Sequence, residues 1–464
     1  MKNDLRIKNK IIYFFLIFFG IFTIFYQIHF DDLWLDEMAS FWIADPTLLN
    51  SETIERQMET DWHNPILFNL ILKNFLKLFG YNPDFARYLP LIFGSLSLFM
   101  FGLISYQEKK NSYFLLATFL ACVSIYIIKY SQELRPYSLI LLTSCLNIFF
   151  FMKLLKSQKL NSLEIFFFIS FSVVNYSVNP FTLIIFFSQI IYTIYRYILF
   201  QDKLKMILLF YMIIFIFFSI FNYNYILYQI TFENYMLSSD IKNVLDGFYF
   251  PRFFGSKIMG YLYLILLIYL IYKNRKIFFL KDNNYMFFLI LIVFCYLVPL
   301  SYGIIRTPVF HDRYIIFILI PLFVLIPLLI SEISNSKLKK IITSLLVLIT
   351  LSNHYIEIFY RVHTKPEFKK TLMHIDKSDT NNIMFSIRDH YTLVSNYVRN
   401  IKIDQTSQFI FSSYDEKKSS IKKFWLFCYT TDPDFICDIS YNNNFEFTDS
   451  QKNLFVETKL YKSN

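Results

Sequence analysis

The chain has little glycine, few cysteines and little charge. It holds only 8 glycines among 464 residues, and no internal repeat is visible. Secondary transporters often break their membrane helices with Gly or Pro at matching positions of two repeated halves, so these absences argue against that class. The 5 cysteines show no metal-ligand spacing. Charged residues make up only 17% of the chain while apolar residues make up 55%, a balance that a soluble protein does not carry.

The apolar residues fall into long runs that predict transmembrane helices. The first run follows a basic N-terminus, is too long for the apolar part of a usual signal peptide and has no small-residue cleavage site after it, so we expect an uncleaved helix. About eleven membrane crossings are predicted, at residues 11–29, 87–106, 112–129, 134–153, 162–179, 181–200, 204–225, 256–272, 284–302, 313–332 and 338–355.

The distribution of basic residues predicts the orientation of these helices. Lys and Arg gather in the alternate short loops that share a side with the N-terminus, which places the N-terminus in the cytoplasm and the C-terminus outside. The net charge of +10 comes from these scattered loops rather than from one basic face. Nucleic acid is therefore not an expected partner.

Two segments are predicted to lie outside the membrane. The acidic first external loop, residues 30–86, contains an apolar stretch at 65–79 that is short for a crossing and reads as an interfacial helix. From about residue 356 the composition becomes polar. We divide the chain into a membrane domain, 1–355, and a small extracytoplasmic α/β domain, 356–464. Within the latter we expect helices at 366–374 and 389–399 and strands at 382–387 and 423–429.

Cysteine placement leaves one pairing open. Cys122, Cys145 and Cys295 lie inside apolar runs and read as small core residues. Cys428 and Cys437 lie in the polar tail, where an extracytoplasmic location would permit a disulfide.

An acidic stretch directly after the first apolar run is the main candidate for a functional site. Carboxylates beside hydrocarbon are costly unless they are solvated, paired or used. For Asp31 and Asp32 we favour the simpler interpretation that they solvate an exposed loop. For Asp36 and Glu37 we favour a catalytic role.

Other distinctive polar residues fall at the same predicted face. Such a gathering would suit a lipid-linked anionic donor, because Arg side chains can grip its phosphate at headgroup depth. Some of these residues also have a simpler interpretation. Glu133 and Arg135 would form a local ion pair, His63 would mark a helix start, and Arg313 would be an interface anchor. The candidate substrate-binding residues are His63, Glu133, Arg135, Arg306, His311 and Arg313.

Five short stretches carry a family resemblance: Asp36-Glu37, His63-Asn64-Pro65, Phe85 to Pro90, Tyr130 to Tyr137, and Arg313-Tyr314. In this order, at predicted external edges, they resemble the polytopic GT-C glycosyltransferases over about residues 10–330. The most similar group is family 39-like and includes protein mannosyltransferase, aminoarabinose transferase and Rgt-type galacturonosyltransferase relatives. The sequence departs from the family at Ile66, where a second proline is usual.

The resemblance implies a fold and a reaction. It implies a GT-C membrane domain at the outer face of the cytoplasmic membrane. There an inverting transfer would move a sugar from a polyprenyl-phosphate donor to an envelope lipid, glycan or protein. Asp36 would be the base, with Glu37 beside it. Glu133 and Arg135 would face the donor, and Arg313 would bind its phosphate.

Several alternatives stay open beside this reading. No cofactor is required. A divalent cation could bridge an acid and the phosphate, but no ligand cluster in the sequence requires one. The rival functions are a secondary transporter, a lipid-linked oligosaccharide polymerase or ligase, and a non-catalytic membrane scaffold. The residues identify neither the sugar nor the acceptor.

Overall fold

A computed structural model of the protein describes residues 2–62, 64–156, 161–200, 205–221, 223, 250–281, 283–305, 312–375, 380, 382–387, 390–401, 410–413, 423–429, 437, 445–453 and 455–463. The helices in chain order are α1 (Lys2–Phe25), α2 (Leu35–Ile43), α3 (Asn50–Thr60), α4 (Leu67–Phe79), α5 (Pro83–Ala86), α6 (Tyr88–Glu108), α7 (Phe114–Cys122), α8 (Ile125–Gln132), α9 (Tyr137–Lys156), α10 (Ser162–Val178), α11 (Leu183–Phe200), α12 (Lys205–Phe221), α13 (Lys257–Lys273), α14 (Tyr285–Ile305), α15 (Leu319–Ser331), α16 (Ser336–Phe359), α17 (Phe368–Ile375) and α18 (Tyr391–Asn400).

Every apolar run of the sequence forms helix within these ranges. Seven helical segments are long and apolar enough to cross a membrane, and α7 with α8 makes an eighth if the bent pair is one crossing. Ser162–Val178 and Phe210–Ile220 are shorter apolar helices. A membrane protein with many apolar helices is therefore confirmed, whereas the number of eleven crossings stays a prediction.

The third apolar run is broken, where the sequence predicted one helix. The axes of α7 and α8 meet at 50°. Ser124 lies at the break, and its Oγ accepts a hydrogen bond from the Ile127 N–H at 3.4 Å, as an N-cap residue does. The Gln132 side chain at the end of α8 donates to the carbonyls of Ile24 and Tyr26, both at 2.9 Å, and so contacts the end of α1.

Helix α15 forms the centre of the bundle. Every side chain from Leu319 to Ile330 is buried. A helix that is apolar all round satisfies its backbone internally and packs on all sides. A 3-10 turn, Asp312–Ile318, leads into it from the edge of the bundle that carries the first loop.

The first loop was predicted at residues 30–86. In the structure it is the segment between α1 and α6, residues 26–87, and it holds helices α2 to α5. The predicted interfacial helix at 65–79 is present as α4, which buries Phe68, Leu72 and Leu76 and leaves Leu78 and Phe79 exposed. The amphipathic pattern explains that burial. Its position at a membrane surface stays a prediction.

The C-terminal residues form a five-stranded mixed sheet. Strands β1 (Asn382–Ile387) and β3 (Lys423–Tyr429) have the bounds predicted from the sequence. The sequence did not predict β2 (Ile410–Ser413), β4 (Phe445–Asn453) or β5 (Val456–Ser463). The sheet order is β2-β1-β3-β5-β4, with β1 parallel to β2 and β3, and β5 antiparallel to β3 and β4.

The three buried cysteines of the bundle are free, as the sequence predicted. Cys428 and Cys437 are joined by a disulfide, with a Cα–Cα distance of 5.9 Å.

The sheet domain packs against the first loop through α18. The Tyr397 hydroxyl donates to Asp32 Oδ1 at 3.3 Å, and the Asn396 amide donates to the Tyr81 hydroxyl at 2.9 Å. The C-terminal domain therefore covers the part of the chain that carries the candidate acids.

Candidate active site

The Asp36 carboxylate faces the Arg313 guanidinium. Their closest atoms, Asp36 Oδ2 and Arg313 Nη2, are 3.1 Å apart. Asp36 lies in the first turn of α2, and Arg313 lies in the turn before α15. The Asp36 side chain is 39% exposed and that of Arg313 is 24% exposed, so both can be reached by a ligand.

Aromatic rings surround the Arg313 guanidinium. Its central carbon lies 5.6 Å from the Tyr137 ring centroid and 5.7 Å from that of Tyr314, distances at which a ring face attracts a cation. The Tyr314 ring stacks on Phe181 at 5.3 Å. Within the described part of the chain, Arg313 Nε is buried and has no hydrogen-bond partner.

Glu37 is enclosed, unlike its neighbour Asp36. Its side chain is only 2% exposed. Glu37 Oε2 accepts from the Trp34 N–H at 2.9 Å and from Lys365 Nζ at 2.6 Å. Its Oε1 accepts from the Leu134 N–H at 2.9 Å and lies 3.5 Å from Arg87 Nη2.

The environment of Glu37 keeps it ionised. Burial on its own would raise the pKa of this carboxyl, but the charges of Lys365 and Arg87 and the hydrogen bonds outweigh it and lower the pKa to about 2. Glu37 therefore does not exchange protons near neutral pH. Of the two neighbouring carboxylates, that of Asp36 is the exposed one.

Arg135 is bound within the protein. Its two terminal nitrogens contact the Asp61 carboxylate at 2.7 and 3.3 Å. Nη1 also donates to the Asp36 carbonyl at 3.0 Å and to Ser40 Oγ at 3.1 Å. Arg135 thus fixes the start of α2, and it contacts the backbone carbonyl of Asp36 rather than its side chain.

Glu133 and Arg135 do not form the local ion pair that was one reading of the sequence. Arg135 pairs with Asp61, and Glu133 Oε1 lies 3.8 Å from Lys365 Nζ. Glu133 therefore belongs to the cluster around Glu37 rather than to the Asp36–Arg313 pair.

Asp31 and Asp32 are not exposed solvating acids, and that expectation is wrong. Both are buried. Asp31 pairs with Arg361 at 2.8 Å, and Asp32 accepts from the Lys369 N–H at 2.8 Å. The sequence could not show this, because their partners lie beyond the last apolar run.

Three predicted site residues lie outside the described residues: His63, Arg306 and His311. Residues close to them in the chain are described. Asn64 donates to Asp61 Oδ1 at 2.8 Å, and Arg313 lies two residues after His311, the last residue of the undescribed segment 306–311. Their substrate contacts stay predictions.

Among the described residues, no group of three or more His, Cys, Asp or Glu side chains is arranged to hold a metal ion. The divalent cation that the sequence left open stays untested.

A cavity of about 350 Å³ adjoins the Glu37 cluster. It lies between the ends of α8 and α16 and the chain that leaves α16, and Lys129, Glu133, Glu357, Arg361 and Lys365 line it. Asp36 and Arg313 are not among the described residues that line it.

Sequence reasoning missed Asp61 and Lys365. Asp61 had a signal, since it precedes His63 in the acidic loop. Lys365 had none, because only the fold brings the chain after α16 to the first loop.

This chain matches known proteins by its structure and not by its sequence. No family model and no curated protein matches the chain. The crystal structure of ArnT from Cupriavidus metallidurans bound to undecaprenyl phosphate superposes with a TM-score of 0.56 at 8% identity, covering 99% of this chain and 98% of that one. This chain has the fold of ArnT. The apo structure of the same ArnT gives a TM-score of 0.53 at 9% identity, over 91% of this chain and 93% of that one.

The fold that the GT-C resemblance implied is confirmed by this likeness to ArnT. The match to ArnT spans both the helical bundle and the C-terminal sheet. At this identity the comparison describes architecture, and the chemistry must be argued from the residues of this chain.

Proposed function

We propose that this protein is a glycosyltransferase that moves a sugar from a polyprenyl-phosphate donor to an acceptor hydroxyl of an envelope lipid, glycan or protein. The proposal depends chiefly on the Asp36–Arg313 pair, an accessible carboxylate 3.1 Å from an accessible guanidinium at the edge of an apolar bundle. The ArnT fold supports it, and one ArnT structure holds undecaprenyl phosphate.

Asp36 would act as the general base. It would take the proton of the acceptor hydroxyl while that oxygen attacks the anomeric carbon from the side opposite the phosphate. The new bond joins the acceptor oxygen to the carbon, and the bond from the carbon to the phosphate oxygen breaks, so the configuration inverts. A positioned base contributes about 10²- to 10⁴-fold to a rate.

Arg313 would hold the phosphate as it leaves. The leaving polyprenyl phosphate takes the electron pair of the broken bond, and a fixed cation stabilises that charge. The donor phosphate would compete with Asp36 for the guanidinium, which would free the carboxylate for its proton transfer. The aromatic rings beside Arg313 keep the guanidinium in place during this exchange.

The other predicted site residues take supporting roles in this proposal. Arg135 would orient the start of α2 through Asp61 and the Asp36 carbonyl. His63, Arg306 and His311 would contact the substrates, and Glu133 would border the site. Glu37 would act through its neighbours rather than as a base, because it is enclosed.

The reaction would take place at the outer face of the cytoplasmic membrane. The loop distribution of Lys and Arg favours this orientation. A disulfide between Cys428 and Cys437 also suits an oxidising compartment. Because both cysteines are buried, the test labels intact cells carrying Lys452→Cys, at a side chain that is 79% exposed, with a membrane-impermeant thiol reagent. Protection of that cysteine until the cells are lysed would reverse the orientation.

The test is transfer in vitro by the purified full-length protein. Radiolabelled polyprenyl-phosphate sugars are supplied one at a time with membrane lipids, glycans or proteins as acceptors. Asp36→Asn should lose at least about 100-fold in rate. Asp45→Asn is the matched control, since Asp45 lies just after α2 and pairs with Arg56 at 3.8 Å.

Two results would count against the proposal. Wild-type rates in Asp36→Asn would remove the assignment of the base. Failure of the wild-type protein to transfer from any donor, together with sugar uptake into proteoliposomes, would replace the enzyme with a transporter.

A further inference from the structure

Three basic residues at four-residue intervals connect the end of the bundle to the first loop. They lie in residues 360–369, here called the connecting segment. Arg361 pairs with Asp31 at 2.8 Å. Lys365 pairs with Glu37 and Lys369 pairs with Asp84, each at 2.6 Å.

Of these pairs, the one between Lys365 and Glu37 is the most enclosed. The Lys365 side chain is 13% exposed and that of Glu37 is 2% exposed. Lys365 Nζ also lies 3.8 Å from Glu133, so one ammonium group serves two acids. A buried ion pair of this kind is strongly disturbed when one partner is removed.

Glu37 in turn fixes the start of α2. Its carboxylate accepts from the Trp34 N–H, which precedes the helix, and from the Leu134 N–H of the neighbouring α8–α9 turn. These bonds tie the first turn of α2 to another part of the bundle. Asp36 lies in that same turn, about 100° around the helix from Glu37.

We infer that Lys365 is a positioning residue for the transfer reaction, acting through Glu37 to set the direction of the Asp36 carboxylate. The inference rests on the proposed function. It gives the connecting segment a part in the reaction although Lys365 touches neither Asp36 nor Arg313.

Loss of the Lys365 charge has a defined physical consequence. Arg87 would remain as a cation at 3.5 Å, and it also donates to the carbonyls of Ile28 and Asp31. Glu37 would then be a buried carboxylate that keeps Arg87 at 3.5 Å but has lost the ammonium group at 2.6 Å. Burial favours its protonated form. A protonated Glu37 accepts more weakly from the two N–H groups, so the first turn of α2 loosens.

The test compares three variants of the full-length protein. Lys365→Met removes the charge and keeps the length of the side chain, and Lys365→Arg keeps the charge. Lys370→Met is the matched control, since the Lys370 side chain is 61% exposed and pairs with the nearby Glu367. Each variant is assayed for kcat, for the donor KM and for hydrogen exchange of residues 33–40.

The expected pattern separates positioning from folding and from substrate binding. Lys365→Met should lower kcat by about 10- to 100-fold, leave the donor KM within about twofold, and speed exchange at residues 33–40 while the bundle helices stay protected. Lys365→Arg should recover most of kcat. Lys370→Met should match the wild type in every measurement.

The outcomes distinguish this inference from the proposed function. Wild-type transfer with an unchanged kcat in Lys365→Met would overturn the inference and leave the enzyme intact. If the wild-type protein transfers nothing, the proposed function fails. Unchanged exchange at residues 33–40 in Lys365→Met overturns the positioning in either case. A parallel loss of protection throughout the bundle would also overturn it, by showing a general structural effect.

Discussion

Asp36 and Arg313 form an ion pair of 3.1 Å between the start of α2 and the turn that precedes α15. The two side chains come from opposite ends of the membrane domain in the sequence. Both keep part of their surface open, so a phosphate and a hydroxyl can reach them. The pair therefore places at one point a carboxylate and a guanidinium, which the proposed reaction would use as base and phosphate ligand.

Replacement of Arg313 should weaken donor binding. Arg313→Met removes the guanidinium, and hydrogen bonds to charged groups contribute roughly 1.5–3 kcal/mol, so we expect the donor KM to rise by about 10- to 100-fold. Arg313→Lys keeps the charge but loses the planar fork and should recover only part of the affinity. Steady-state kinetics at varied donor concentration measure both.

Arg275→Met is the control for this prediction, since Arg275 is an exposed arginine that lies over the Tyr272 ring at 5.4 Å. A donor KM in Arg313→Met equal to that of Arg275→Met would show that Arg313 does not bind the phosphate.

The effect of replacing Glu37 should not depend on pH. The pKa of Glu37 is lowered to about 2, so the carboxylate is ionised throughout the range from about pH 5 to pH 9. Its contribution to stability is present above its ordinary pKa of 4.5 and is lost only as the pH falls toward 2. Glu37→Gln should therefore reduce transfer by the same factor at pH 5, 7 and 9.

Glu55→Gln, in the exposed part of α3, is the matched control and should not change transfer. A Glu37→Gln effect that disappears at the acidic end would mean that Glu37 is already protonated there, contrary to its burial among cations.

Removal of the Asp61 charge should destabilise the protein. Asp61 and Arg135 form a bidentate pair in which the side chains are 11% and 4% exposed. Breaking a buried pair leaves an uncompensated charge and costs about 3–5 kcal/mol. Asp61→Asn should therefore lower the thermal midpoint of the detergent-solubilised protein.

Glu59→Gln should leave that midpoint unchanged, because Glu59 is an exposed neighbour on α3. Equal midpoints for the Asp61 and Glu59 variants would show that Arg135 finds other partners.

Those features that depend on local composition could be predicted from the sequence. The apolar runs became helices because a long apolar stretch must satisfy its own backbone in a membrane. Strands β1 and β3 could be predicted because each contains a run of apolar residues, and the sheet buries that run. Asp36 and Arg313 were identified because charged groups at the ends of apolar runs are conspicuous.

Features that depend on pairing could not be predicted. Strands β4 and β5 are polar and form an antiparallel pair at one side of the sheet, so their sequence looks like a loop. The break before α8 depends on a single serine cap at Ser124. Asp31, Asp32 and Glu37 each have one partner in the connecting segment, and nothing in the local sequence specifies that long-range contact.

The burial of α15 has a consequence for the two halves of the site. Arg313 lies in the 3-10 turn that leads into a helix buried from Leu319 to Ile330, so its backbone is joined to closely packed structure. Asp36 instead stands on a short helix held by side-chain contacts from distant segments. If the proposed function holds, changes in those buried ion pairs would reshape the carboxylate half of the site, while the guanidinium half stays joined to the core.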